Sequence, residues 1–389
     1  MADATLTAAA PHTLLKSSLL ALPMVLLSGL MLLGGPNLPR DPLRLAPFLV
    51  VYLFVNVLFF RMLRTGRTER YRAAFFIPFA VAFVISFLSN LIEARGSMQL
   101  TAGDMASGRT PFCHMVIPMT LVPAALTRTI IFPGSLLRGF APVAGMFVIW
   151  IGASLALGRG FCAWGCFFGG LEDGFSRLRR RPRVRHIAKV WSYLPYAVLV
   201  AIVLTSAASL TPTYCMWLCP FKAVTEFPAL TSTVARFQAG IFLSLFLGLV
   251  IVLPVLTRKR TQCGLFCPFG AFQSFTNKVS PVDVRIDRER CTDCNKCVNS
   301  CPTFSLDRES ADRGGTRLSC CKCGTCVDLC AKGAASYHVR GTPVGWAPER
   351  ARLLFIYPAF LFLVTFGGGM LQEALHRVLL LASTGRMIR

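Results

Sequence analysis

The sequence predicts a mainly α, polytopic membrane fold carrying one small α+β unit outside the bilayer. Three observations lead there. The 389-residue chain is 54% hydrophobic and only 15% charged, with a mean hydropathy of +0.57, which is too apolar for an ordinary soluble domain. Seven apolar stretches have the length of a membrane helix. The sixteen cysteines fall mostly in C-x2-C and C-x3-C groups, the spacing of metal ligands and not of a secreted disulfide framework. The net charge of +23 comes from Lys and Arg runs beside apolar spans. The bias of basic loops toward the cytoplasm explains them better than a nucleic-acid groove does, so lipid is expected as a partner and nucleic acid is not.

A helix needs about 20 residues to cross the hydrocarbon core. The candidates are Leu14–Leu33, Leu45–Leu63, Ala73–Ile92, Phe140–Leu157, Val190–Leu210, Phe237–Leu256 and Leu353–Met370. The first is longer than a signal-peptide core and no A-x-A site follows, so it reads as a retained helix. An eighth stretch, Val116–Phe132, contains Pro118, Pro123 and Arg128, and proline and arginine both disfavour a simple span. Loop charges decide between the two topologies. Arg61–Arg72, Arg177–Lys189 and the region from Arg258 to Arg352 are strongly basic. They share one side only if Val116–Phe132 is re-entrant. The expectation is therefore seven spans plus one re-entrant segment, with a cytoplasmic N-terminus and an outer C-terminus; eight spans is the alternative.

Residues 263–345 form the only stretch suited to a soluble unit, which divides the chain into a helical membrane part (1–262), that unit, and a C-terminal helix with its tail (346–389). Short strands are expected at Val282–Ile286 and Ala335–Val339. Within the unit, Cys291, Cys294, Cys297 and Cys301 follow C-x2-C-x2-C-x3-C and precede Pro302. Cys320, Cys323, Cys326 and Cys330 repeat the spacing with Ala331 next. In two-cluster ferredoxins the fourth cysteine of each block ligates the other cluster. That assigns Cys291, Cys294, Cys297 and Cys330 to one [4Fe–4S] cluster and Cys320, Cys323, Cys326 and Cys301 to the second. Zinc knuckles would be set further apart and need only four ligands. Cys321 is an extra thiol packed beside the cluster.

Two C-x3-C pairs follow apolar segments: Cys162 with Cys166, and Cys263 with Cys267. Residues i and i+4 share a helix face, so the pairs could offer four thiolates to a third centre, iron–sulfur or another metal. The bland alternative is four inert interfacial thiols. Spans with C-x3-C motifs at helix ends, followed by a two-cluster ferredoxin unit, resemble the NapH/MauN/NosR/CcoG group of membrane ferredoxin-like proteins over roughly residues 140–340. The resemblance implies electron transfer between the quinone pool, or a soluble ferredoxin-like donor, and a periplasmic or membrane redox partner. A bacterial-type cytoplasmic membrane is expected, and the basic loops put the ferredoxin unit on its cytoplasmic side. Phe167 departs from the proline usual in that group, and no flavin-attachment motif is present.

A further set is expected on the outer side. Cys215 and Cys219 lie between two spans, and Cys113 and His114 open the re-entrant segment. A metal centre, a Cys215–Cys219 disulfide and inert thiols are the alternatives. Glu172 and Asp173 read as capping a helix start more than as a proton path, and Trp164 and Trp217 as interfacial anchors. No haem-attachment motif, P-loop or dinucleotide fingerprint occurs. The expected function is relay of electrons through iron–sulfur centres. The alternative is an assembly factor that supplies reductant to metal or thiol centres of a partner enzyme.

Overall fold

A computed structural model describes residues 13–33, 38–93, 113–128, 143–185, 187–225 and 232–387. Six helices within them are long and apolar enough to cross a membrane: Leu14–Leu33, Pro42–Thr65, Phe147–Trp164, Lys189–Ser209, Thr233–Thr257 and Pro348–Thr384. A further helix, Thr68–Glu93, runs for 26 residues. Each expected span falls on one of these, although residues 140–142 of the fourth lie outside the described residues. The described part of the eighth stretch, His114–Thr127, is a short apolar helix of about 21 Å at about 1.5 Å per residue. Residues 129–132 of that segment lie outside the described residues.

The last helix is longer than the expected Leu353–Met370. It stays unbroken for 37 residues by absorbing a π-helical turn at Val364–Gly368. The glycines there allow close approach. A Cβ on Gly368 would lie 2.4 Å from Leu32, and one on Gly367 3.0 Å from Phe79. A second π turn, Phe246–Val252, leaves the Leu249 carbonyl to accept from the Thr261 hydroxyl at 2.6 Å. Aromatic packing fills the body between helices, with Phe59 and Phe75 both against Phe360.

The three basic segments meet on one face. Glu69 pairs with Arg177, Arg258 donates to the Arg180 carbonyl at 2.8 Å, and Lys189 pairs with Asp307 and Glu309. The ferredoxin unit docks on this same face. Its two strands, β1 (Val282–Ile286) and β2 (Ala335–Val339), pair antiparallel with Val282 opposite Val339 and Ile286 opposite Ala335. Their alternating inward residues cover a small core of Ile286, Leu306, Ala311 and Ala335 ringed by cysteines.

One expected boundary moves. Cys263–Thr276 belongs to the helical body and not to the soluble unit. The short helices Thr261–Leu265 and Pro268–Thr276 are largely buried, because their apolar residues fold back between the long helices instead of entering water. The unit proper begins near β1. Its attachment is polar and specific. Asp328 accepts from the backbone N–H groups of Thr68 and Glu69 at 3.0 and 2.7 Å, capping the start of helix Thr68–Glu93 from another part of the chain. Arg352 donates to Thr68 Oγ1 at 2.9 Å and to the Met62 carbonyl at 2.7 Å.

Removing a cap of this kind costs about 0.5–2 kcal/mol. Asp328→Ala is expected to lower the thermal midpoint of the purified protein by several degrees and to speed proteolysis of residues 61–72. An unchanged midpoint and cleavage rate would show that the cap does not hold the unit in place.

Candidate iron-sulfur centres

Each ferredoxin loop must turn tightly around a cluster so that N–H groups point inward. The backbone shows how. Asp293 and Asn295 in the first loop take positive φ values of 50° and 54°, and Lys322 and Gly324 take 51° and 89° at the matching positions of the second. Left-handed residues alternating with right-handed ones build a nest of N–H groups that suits an anion. Gly324 also leaves no room for a side chain: an added Cβ would lie 3.1 Å from both Thr68 and the Tyr337 hydroxyl. Backbone N–H groups reach the fourth cysteines, Ser305 to Cys301 Sγ at 3.2 Å and Ala335 to Cys330 Sγ at 3.5 Å.

A cavity is lined by Cys301, Cys320, Cys323 and Cys326, with Pro302 and Gly324 beside them. These are the four cysteines that the crossed ligand pattern assigns to one cluster. At the other site, Cys297 lies within electrostatic range of Cys330, Cys291 and Cys294. The donor set and the cavity fit two [4Fe–4S] clusters, and the chain binds them.

The second cluster site faces the helical body. The Lys322 carbonyl accepts from Trp164 Nε1 at 3.3 Å and from the Tyr337 hydroxyl at 3.2 Å. Trp164 is thus fully buried, clamping the cluster loop instead of anchoring at the interface as its position beside a span suggested. Lys322 Nζ donates to the Leu157 carbonyl and Ser280 Oγ at 3.0 and 2.8 Å, and its burial pushes its pKa down to about 8. Cys321 is 1% exposed and lies within electrostatic range of Cys162. The extra thiol therefore stands between the ferredoxin unit and the membrane cysteines.

Cys162, Cys166, Cys263 and Cys267 are all buried and close enough for their charges to interact. The expected helical i, i+4 face is not how they meet. Cys162 lies in the short helix Phe161–Trp164, the chain breaks at Gly165, and Cys166 caps the next helix, Phe167–Ser176, with an extended backbone. Cys263 and Cys267 repeat this with Pro268 at the first turn, and Cys267 Sγ accepts from the Gly270 N–H at 3.3 Å. Each second cysteine thus sits at a helix N-terminus, where the dipole favours a thiolate. A side chain at Gly165 would put its Cβ 2.0 Å from Phe362, so the break has no space for one. Glu172 caps the opposing helix, accepting from Gln262 N–H at 2.5 Å and Cys263 N–H at 3.0 Å. Burial pushes its carboxyl up to about 7. This is a capping role as expected, though on a different helix. Asp173 pairs with Arg72 at 3.1 Å.

The set expected on the outer side is redistributed. His114 Nε2 lies 3.2 Å from Cys166 Sγ, and Met115 Sδ lies 3.8 Å from Cys267 Sγ. His114 therefore borders the Cys162/Cys166/Cys263/Cys267 group and is not separated from it by the bilayer, because the short helix begins deep in the body. Cys113 and buried Cys219 are within electrostatic range of each other, and Cys215 is half-buried. Tyr214, beside Cys215, accepts from Gln262 Nε2 at 3.0 Å, tying this loop to the third cysteine pair.

Cysteine spacing alone joins Cys162 and Cys166 to Cys263 and Cys267 but gives no sign of Arg159, Arg260, Met115 or the buried role of Trp164. A repeat was the available signal. Arg159, Cys162, Cys166 and Gly169 recur at constant offset as Arg260, Cys263, Cys267 and Gly270.

Comparison with known families agrees with these sites. A "4Fe-4S dicluster domain" matches residues 283–331, and a "4Fe-4S binding domain" matches three times, at 139–185, 191–233 and 239–286. Each of the three copies contains one C-x3-C group. The chain is 31% identical to the ferredoxin-type protein NapH of Haemophilus influenzae, over 46% of this chain and 62% of that protein. It is 30% identical to the ferredoxin-type protein NapH of Escherichia coli K12, over 53% of this chain and 72% of that protein. It is 28% identical to the methylamine utilization ferredoxin-type protein MauN of Methylorubrum extorquens, over 43% and 57%. The match thus spans about six- to seven-tenths of these relatives' lengths. No solved structure matches the chain.

The crossed ligand pattern makes a distinct prediction. Cys330→Ala should abolish the electron paramagnetic resonance signal of the cluster held by Cys291, Cys294 and Cys297, although Cys330 lies in the other motif. Cys301→Ala should do the converse. Loss confined to the cluster of the mutated motif would contradict the pattern.

Proposed function

The chain belongs to the NapH-type family of ferredoxin-type, iron–sulfur membrane proteins, and from that premise we propose that it relays electrons between a quinone or a cytoplasmic donor and a redox partner on the outer side. The supporting observation is continuity. Cys321 and Lys322, both buried, line the cavity of Cys301, Cys320, Cys323 and Cys326, and Cys321 lies within electrostatic range of buried Cys162. The membrane group then leads through His114 and Met115 to Cys113, Cys219 and Cys215.

Bound clusters supply one-electron chemistry at potentials tuned by charge, hydrogen bonding and exposure. The residues do the rest. The nests and the Cys301 and Cys330 N–H bonds favour the anionic thiolates. Trp164, Lys322 and Tyr337 hold the second loop at a fixed distance from the body. The membrane cysteines and their helix N-termini form a third site, for iron–sulfur or another soft metal. Such a site shortens the jump across a bilayer about 30 Å thick. The ferredoxin unit is read as cytoplasmic, because the basic segments with which it shares a face follow the positive-inside rule.

The test is electron flow in sealed vesicles. With a reductant confined to the ferredoxin side and an impermeant acceptor opposite, wild-type protein is expected to pass electrons. Cys162→Ala with Cys263→Ala should slow transfer at least tenfold while about eight iron atoms, those of the two ferredoxin clusters, remain. Undiminished transfer in the double variant would refute the relay.

A further inference from the structure

The membrane cysteines sit in a frame with approximate two-fold character. Arg159 Nη2 crosses to the Cys263 carbonyl at 2.9 Å, and Arg260 Nη2 crosses to the Cys162 carbonyl at 2.5 Å. Each arginine thus bonds the first cysteine of the other repeat. The glycine of each repeat stands where the opposite arginine passes. A Cβ on Gly169 would lie 2.6 Å from Arg260 Nη2, and one on Gly270 3.1 Å from Arg159 Nη2. The intervening group C-x3-C of Cys215 and Cys219 has Pro212 and Lys222 at the matching positions and stands outside this frame.

Both guanidinium groups are buried, at 2% and 0% exposure. Arg159 Nε and Arg260 Nε and Nη1 have no hydrogen-bond partner among the described residues. Glu172 and Asp173 lie within electrostatic range of Arg260 but take their hydrogen bonds elsewhere, Glu172 from backbone N–H groups and Asp173 from Arg72 and Arg177. Arg260 Nη2 lies 3.6 Å from Cys263 Sγ. Two buried guanidinium groups with no hydrogen-bonded ion pair among the described residues are disfavoured unless an anion joins them.

We infer that Arg159 and Arg260 are the built-in counter-charges of one anionic iron–sulfur centre shared by Cys162, Cys166, Cys263 and Cys267, and that they set its reduction potential. The inference rests on the relay reading, which places a centre at these thiolates. Reduction adds one electron, taken from the neighbouring ferredoxin cluster, to a centre that is already anionic; no bond breaks and no proton is needed. Positive charge in a low-dielectric body favours the reduced form, so removing it lowers the potential. The arginines are positioning residues and exchange no electrons themselves.

The test is a potentiometric titration, followed by electron paramagnetic resonance, of the full-length protein purified without oxygen. In Arg159→Met and in Arg260→Met, the reduced-to-oxidised ratio of the third signal at a fixed potential should fall at least tenfold, about 59 mV for a one-electron couple. Arg260→Lys should recover most of it, and the cluster of Cys291, Cys294 and Cys297 should not move. A third signal whose ratio is unchanged in both Met variants overturns the inference. Should a Met variant lose the third signal yet keep both ferredoxin clusters, Arg260→Lys decides: recovery supports the charge role, and continued loss overturns it in favour of packing alone. A wild-type protein with no signal beyond the two ferredoxin clusters removes the third centre itself, and the inference with it.

Discussion

Charge burial is the constraint around which this molecule is arranged. A metal centre ligated by four thiolates is an anion, and an anion inside a lipid-embedded body is unstable without compensation. The chain answers in three ways. Helix N-termini point at Cys166 and Cys267. The guanidinium groups of Arg159 and Arg260 are enclosed beside the thiols. In the ferredoxin unit, where water is nearer, backbone nests add their own N–H groups. The same logic explains why the C-x3-C groups interrupt helices. An intact helix would satisfy its own N–H groups and leave none for sulfur.

The attachment of the ferredoxin unit follows from a related demand. Electron transfer between centres needs a fixed separation, and a tethered unit moving on a linker would not hold one. Here the unit is joined to the body by charge-assisted and backbone bonds at several points. Asp328 caps a helix start, Lys322 reaches the end of a span, and Trp164 rises from the body to hold the cluster loop. The Arg260 N–H also donates to the Pro302 carbonyl at 2.7 Å. The arginine beside the membrane thiols is thereby linked to the loop that carries Cys301.

Much of this was legible in the sequence. The apolar spans were found because a 20-residue lipid requirement leaves a strong local signature, and the eight ferredoxin cysteines because cluster geometry fixes their spacing. Both strands were located from their position beside the cysteine blocks. The failures have a common physical origin. For Val116–Phe132 nothing local says how deeply a proline-broken helix enters, so the sequence groups His114 with Cys215 and Cys219 while the structure sets it beside Cys166. Cys263–Thr276 reads as soluble because its two turns are short and Gly-rich, yet tertiary packing buries it. Trp164 looks interfacial beside a span, and only its hydrogen bond to Lys322 shows its role. The crossed arginines could have been found from the R-x2-C-x3-C-x2-G repeat, though not their exchange between repeats, which depends on how the two hairpins face each other.

The central claim is that the buried C-x3-C groups hold an iron–sulfur centre in addition to the two in the ferredoxin unit. Mössbauer spectroscopy of anaerobically purified protein enriched in 57Fe tests it most directly. The account predicts an iron component beyond two [4Fe–4S] clusters, absent from a variant lacking Cys162 and Cys263 and present in one lacking Cys301. A spectrum fully described by two clusters, with no iron at the membrane cysteines, would contradict it.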